Sequence, residues 1–232
     1  MFLGGWICHD DVSCSERRVR EHHRMSSDRW PSVKTVGGIL SADPSENPHF
    51  ADANHVFVPY CSSDAWSGYA SGRPASAEAA TNTGDLAFMG GNIVREVIRE
   101  LADFQQLLFG RELYLAGSSA GGIGVMMNID SVAGMVGRAG LRVRGIVDSG
   151  WFLDNDPFAA VECSAGKGKC SVVQNLQQGV RLWKARVPAA CQQNFPGEVW
   201  KCFLGYKLAT FIKSKFTYLL EKFNTQIYNI LL

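Results

Sequence analysis

The stretch Glu112-Leu113-Tyr114-Leu115-Ala116-Gly117-Ser118-Ser119-Ala120-Gly121-Gly122-Ile123-Gly124 decides the fold. Residues 112–116 favour a strand, and residues 119–136 read as a helix. Between them, Gly117-Ser118-Ser119-Ala120-Gly121 fits the G-x-S-x-G pattern of a nucleophile elbow. A serine on so sharp a turn projects its oxygen above the sheet, and its small neighbours let the backbone pass. Two rival glycine motifs fail. A phosphate-binding loop needs Lys then Ser or Thr where Ile123-Gly124 stand. A dinucleotide fingerprint beginning at Gly122 needs Gly or Ala where Met127 stands.

Working outward, the same alternation recurs. Residues 55–60, which end on Pro59-Tyr60, read as a buried strand. Phe2-Leu3 reads as the end of another strand, entering a loop at Gly4-Gly5-Trp6. Ile93, Val94, Val97, Ile98 and Leu101 share one helical face, residues 143–147 read as a strand, and residues 172–183 as a helix. This order implies an α/β fold of the α/β-hydrolase type, with a mostly parallel central sheet flanked by helices. Residues 9–30 are charged and read as surface, and residues 69–84 as a surface loop. Residues 151–170 read as an irregular excursion closed by a disulfide. From residue 210 the character changes. Phe211, Ile212, Phe216, Leu219, Leu220 and Phe223 suggest an amphipathic helix, and residues 209–232 are read as a divergent tail on a domain spanning 1–208.

The chain has 232 residues, 46% of them apolar, with a formal charge of +1. That suits one globular domain and argues against nucleic acid or an anionic membrane as its main partner. Apolar runs are too short for a transmembrane segment. The seven cysteines include three close pairs: Cys8 with Cys14, Cys163 with Cys170, and Cys191 with Cys202. Disulfides, and hence an oxidising compartment, are favoured over zinc ligation or free thiols, because none of these spacings is the C-x2-C of a zinc site. Cys61 is left over. No signal peptide follows Met1, so a secreted-type interior without a secretory start suggests a chain incomplete at its beginning.

Ser119 is the candidate nucleophile. Acyl transfer also needs amide donors for the developing oxyanion. Ala120 supplies one by position, and Gly5 and Trp6 suit the glycine-rich loop that supplies the other. Asp148, at the carboxyl end of a strand, could be a triad acid or a pocket-shaping group, and a satisfied strand-end aspartate is preferred. The serine requires a histidine base, which in this fold follows the nucleophile in sequence. All five histidines, at 9, 22, 23, 49 and 55, precede it. A His–Asp–Ser order belongs to β-barrel proteases, which this pattern does not resemble.

Gly4-Gly5-Trp6, the run from Pro59 to Gly68 (Pro-Tyr-Cys-Ser-Ser-Asp-Ala-Trp-Ser-Gly), the run from Leu115 to Gly122, Asp148 to Asn155 and Trp200 to Lys207 together resemble the Notum-type carboxylesterases of the pectin acetylesterase-like family. The resemblance runs from about Phe2 to Lys207. It implies a secreted serine esterase that removes palmitoleate from Wnt proteins and so silences their signalling, with no cofactor and no metal. By position it makes Ser119 the nucleophile and Gly5, Trp6 and Ala120 the oxyanion hole. Trp6, Phe152 and Phe203 would line the acyl pocket, with Leu176 and Leu204 as looser matches. The family's catalytic Asp and His follow the region matched by Phe203–Lys207, and residues 210–232 offer no histidine. The family also carries an upstream cysteine that would partner Cys61. A chain incomplete at both ends, with little turnover, is therefore expected. A non-catalytic binder of acylated ligands and an unstable product are the alternatives.

Overall fold

The computed structural model describes residues 1–3, 6–72, 86–156 and 170–219. Its centre is a five-stranded sheet of order β2-β1-β3-β4-β5, built from β1 (Phe2–Leu3), β2 (Phe57–Val58), β3 (Glu112–Ser118), β4 (Arg142–Asp148) and β5 (Lys215–Leu219). Every pairing is parallel, as the strand–helix–strand reading requires. Helix α1 (Asp11–Arg20) follows β1, α2 (Gly90–Phe104) precedes β3, and α3 (Ala120–Val136) joins β3 to β4. Three helices, α4 (Val172–Leu182), α5 (Ala189–Asn194) and α6 (Gly205–Leu208), lie between β4 and β5.

Local chemistry explains the elements. Helix α1 starts at a reciprocal capping box, in which the Ser13 amide donates to Asp10 Oδ1 at 2.7 Å. In α2, Val94 and Ile98 are buried, and Ile93 and Val97 pack beside them, which is the apolar stripe of a helix that turns one face to the core. Helix α3 is buried over residues 120–129 because it packs beneath the sheet and against α2 and α6. Its composition, small and apolar with few charges, suits burial on all sides.

The expected amphipathic helix over Phe211–Phe223 is overturned where the structure describes it. Lys215–Leu219 is a strand, paired in register with Arg144–Asp148. Phe216 points toward α3, where a side chain at Gly145 would collide with its Cβ at 2.6 Å. The Asp130 carboxylate of α3 accepts the Lys213 and Ser214 amides at 2.9 and 2.8 Å and delivers the chain into the sheet. An alternation of aromatic and β-branched residues, Phe216-Thr217-Tyr218, carried the strand signal. Leu220 and Phe223 lie outside the described residues.

Cys8–Cys14 and Cys191–Cys202 are disulfides and Cys61 is free. Cys170 is also disulfide-bonded, and Cys163 lies outside the described residues. Among those residues no helix is long and apolar enough to cross a membrane.

Burial at the sheet pushes the Met1 ammonium down from 8.0 to about 6, although it donates to the Tyr114 carbonyl at 3.0 Å. The charged form is the one disfavoured in the folded state. Above pH 8 both states hold a neutral amine and nothing is lost; as pH falls from 8 toward 6 the unfolded chain protonates first. The chain with a free Met1 amine is expected to lose roughly 2–3 kcal/mol over that window. Urea midpoints at several pH values, compared with an amine-acetylated chain that lacks this component, measure it.

Candidate active site

Strands β1 and β3 lie side by side with Phe2 opposite Ala116 and Leu3 opposite Gly117. The loop beyond Leu3 and the turn beyond Ser118 therefore leave the sheet together at its carboxyl edge, where ligands gather in parallel sheets. Ser119 stands at that turn as the N-cap of α3, with φ 56° and ψ −123°. An L-residue held there costs about 1–3 kcal/mol, and the surroundings impose it. The Ser119 amide donates to the Asp148 carbonyl at 2.9 Å, and the Ser119 carbonyl accepts the Gly122 amide at 2.9 Å. A Cβ on Gly117 would lie 2.3 Å from the Gly121 carbonyl oxygen. A Cβ on Gly122 would lie 2.9 Å from the Gly150 Cα. Sheet, elbow and the turn after β4 thus close on one another through bare backbone.

Ser119 is half-exposed. Among the described residues nothing hydrogen-bonds its hydroxyl, and the amides of Ala120 and Trp6 have no acceptor. Unpaired N–H groups at a helix start favour negative charge beside them. Gly5 lies outside the described residues. Trp6 is 61% exposed. Asp148 sits where the sequence placed it, but it is its main chain that holds the elbow; its carboxylate accepts from Ser149 Oγ at 3.0 Å.

The aromatic and aliphatic candidates divide. Phe152 is half-buried against the core, and its carbonyl accepts the Gly205 amide at 3.2 Å. Leu176, Phe203 and Leu204 belong to the core itself, and the Phe203 ring lies 5.9 Å from that of Trp183. The Trp183 indole donates to the Cys8 carbonyl at 2.8 Å, which ties this cluster to the loop carrying Trp6. A cavity of about 870 Å³ lies elsewhere, lined by Phe2, Phe50, Leu113, Tyr114 and Ala116 among others.

All five histidines are described, and none hydrogen-bonds Ser119. His22 meets Asp28 at 2.6 Å and His55 meets the Phe50 carbonyl at 2.7 Å. His9 is buried beside Asp10, and burial lowers its pKa. Among the described residues no His, Cys, Asp or Glu cluster could hold a metal ion.

A residue missed in the sequence is Asp64. It is fully buried, and its carboxylate accepts from Ser62 Oγ at 2.6 Å and from the amides of Trp66, Gly68 and Gly90 at 3.0, 3.1 and 2.7 Å. Burial pushes its pKa up, and these hydrogen bonds oppose that shift. The polar run Ser62-Ser63-Asp64 inside the motif from Pro59 to Gly68 was the available signal.

A pectinacetylesterase family profile matches residues 1–232. The chain belongs to the pectinacetylesterase family. It is 44% identical over 213 residues to palmitoleoyl-protein carboxylesterase NOTUM of Homo sapiens, covering 90% of this chain and 41% of that protein. It is 38% identical over 234 residues to the protein of that name in Drosophila melanogaster, covering 98% of this chain and 33% of that one. A solved structure of the Wnt deacylase Notum from Drosophila superposes with a TM-score of 0.83 at 39% identity, covering 94% of this chain and 61% of that one. The fold is thus that of Notum, an α/β-hydrolase fold. The chain spans less than half the length of the curated relatives named here.

Steric demand at the elbow predicts opposite outcomes for two glycines of the same region. Gly117→Ala is expected to cost more than about 2 kcal/mol, because the obstructing atom is backbone. Gly134→Ala, on α3 with nothing within 4 Å of its Cβ, is expected to gain about 0.5–1 kcal/mol. Thermal melts of the two variants check both signs.

Proposed function

We propose that Ser119 is the acyl-accepting nucleophile of a serine carboxylesterase, and that the substrate class is a fatty acyl ester on a protein serine. The observation that carries this reading is the Ser119 backbone, held at φ 56° on the turn between β3 and α3. A structural serine has no need of so costly a conformation. In the reaction, Ser119 Oγ bonds to the ester carbonyl carbon and its proton passes to solvent water or hydroxide, no described imidazole being in reach. The carbonyl oxygen becomes an oxyanion that accepts from the Ala120 and Trp6 amides, with Gly5 as a further donor. The bond to the leaving oxygen then breaks, and the alcohol departs with a proton. Water attacks the acyl-serine by the same route, releasing the carboxylic acid and restoring Ser119.

The names of the relatives narrow the substrate. Proteins so similar are a palmitoleoyl-protein carboxylesterase and a Wnt deacylase, so palmitoleoylated Wnt is the ligand proposed for this chain, acting outside the cell. Trp6 and Phe152 would meet the acyl chain first, with Leu176, Phe203 and Leu204 behind them. Each buried CH2 would contribute about 0.8 kcal/mol.

No described imidazole reaches Ser119, so the chain by itself is proposed to acylate without efficient turnover. Nucleophile and oxyanion donors without a complete triad retain only about 10³–10⁴-fold over water. With a nitrophenyl octanoate ester, intact-mass and peptide spectra should show a single octanoyl group on Ser119, accumulating slowly and absent in Ser119→Ala. Acylation only at other residues would refute the assignment. Rapid multiple turnover, abolished in Ser119→Ala, would refute the proposed lack of a base.

A further inference from the structure

The loop from Tyr60 to Gly68 touches both halves of the site. On one side, Asp64 bridges Ile7 in antiparallel fashion, and the Ser63 carbonyl accepts the Cys8 amide at 2.9 Å. Ile7 directly follows Trp6, so this pairing fixes the loop that offers the Trp6 amide. On the other side, the Trp66 side chain packs against α3. A Cβ at Gly124, one helical turn beyond the elbow, would stand 2.6 Å from Trp66 Cδ1. Asn128 Nδ2 donates to the Trp66 carbonyl at 2.9 Å and to the Gly124 carbonyl at 2.8 Å, so the loop is also bonded to α3.

The loop has an unusual shape. Ser63, Ala65 and Trp66 have φ values of 47°, 51° and 60°, and such a run of non-glycine residues needs an agent to hold it. That agent is the Asp64 carboxylate. One oxygen takes Ser62 Oγ and the Trp66 amide, and the other takes the amides of Gly68 and Gly90. All four partners are donors, which an acceptor-only carboxylate matches. Gly90 opens α2, and a Cβ there would meet Asp64 Oδ1 at 2.2 Å, so the helix start is seated directly on the charge.

We infer that Asp64 is a positioning residue for the Ser119 site: through its loop it sets the Trp6 amide and the start of α3 at a fixed distance, and so assembles the two halves of the oxyanion hole. The catalytic consequence rests on the esterase reading above; the mechanical one does not. Asp64 touches no reacting atom. Its contribution is the register between two backbone segments, and a misplacement of about 1 Å in such a site can cost about 100-fold in rate.

The test uses the whole chain with Asp64→Asn, which keeps the shape but sets an amide NH2 against donors. Ser62→Ala, which removes a single donor, is the milder variant should Asp64→Asn fail to fold. A fluorophosphonate labels Ser119, and its saturation kinetics separate recognition from the bond-forming step. The expected result is a bond-forming rate constant per folded molecule lowered about 10- to 100-fold in Asp64→Asn and less in Ser62→Ala, with the recognition constant within about twofold. Hydrogen exchange runs in parallel. The hydrogen-bonded amides of Cys8 and of residues 122–125 should exchange faster, while those of β4 and of residues 130–136 keep their wild-type rates. A residue that only stabilises the fold would lower the melting temperature and raise exchange throughout, leaving the labelling constants of folded molecules alone; that result overturns the proposal. Absence of fluorophosphonate labelling together with absence of the octanoyl adduct on Ser119 would refute the esterase reading, and the exchange pattern would still decide whether Asp64 holds the two segments.

Discussion

The Ser119 backbone occupies a region that an L-residue leaves unless packing forbids it, and here packing does so from several directions. The Asp148 carbonyl holds its amide, α3 holds its carbonyl, and Gly117 and Gly122 admit backbone where any side chain would collide. The order of the neighbouring elements follows. Strand β3 must end where α3 begins, β4 must run beside β3 far enough for Asp148 to reach the turn, and the chain after β4 must pass Gly122 as bare Gly150. About 1–3 kcal/mol of local strain is thereby offset by the burial of α3, whose first half lies wholly inside the molecule.

A second centre supports the first. The elbow orients one residue, but acyl transfer needs two segments held together, and the strand pairing of Leu3 with Gly117 alone does not fix a loop three residues farther on. The loop around Asp64 spans that gap. It joins Ile7 and Cys8 on one side to Gly124 and Asn128 on the other, and α2 starts on the same carboxylate. Trp183 adds a tie from the far end of the chain to the Cys8 carbonyl. A buried charge with four donors is costly to disturb, since removing any one partner leaves another unpaired in low dielectric.

What the sequence disclosed depended on how local the cause was. The elbow, β3, β4 and the helices flanking them were legible because glycine spacing and apolar periodicity act over a few residues. Strand β5 was misread as helix: Phe216 and Leu219, three apart, suit the helical period, whereas in the strand Phe216 faces the core and Leu219 is exposed, and the choice is made by Gly145 and Asp130, far away in sequence. Asp64 was quoted only as part of a motif, because its role depends on amides up to 26 residues distant and on left-handed conformations at Ala65 and Trp66 that side-chain identity does not advertise. For Leu176, Phe203 and Leu204 burial was foreseeable, and the same apolar character serves a core or an acyl pocket.

The most direct test of the central claim is a crystal structure of the chain after reaction with an alkyl fluorophosphonate. The account predicts a tetrahedral phosphorus on Ser119 Oγ, with one phosphonyl oxygen within about 3 Å of the Ala120 and Trp6 amides and the Asp64 hydrogen bonds intact. An adduct on another residue, or a phosphonyl oxygen turned to solvent away from both amides, would contradict it.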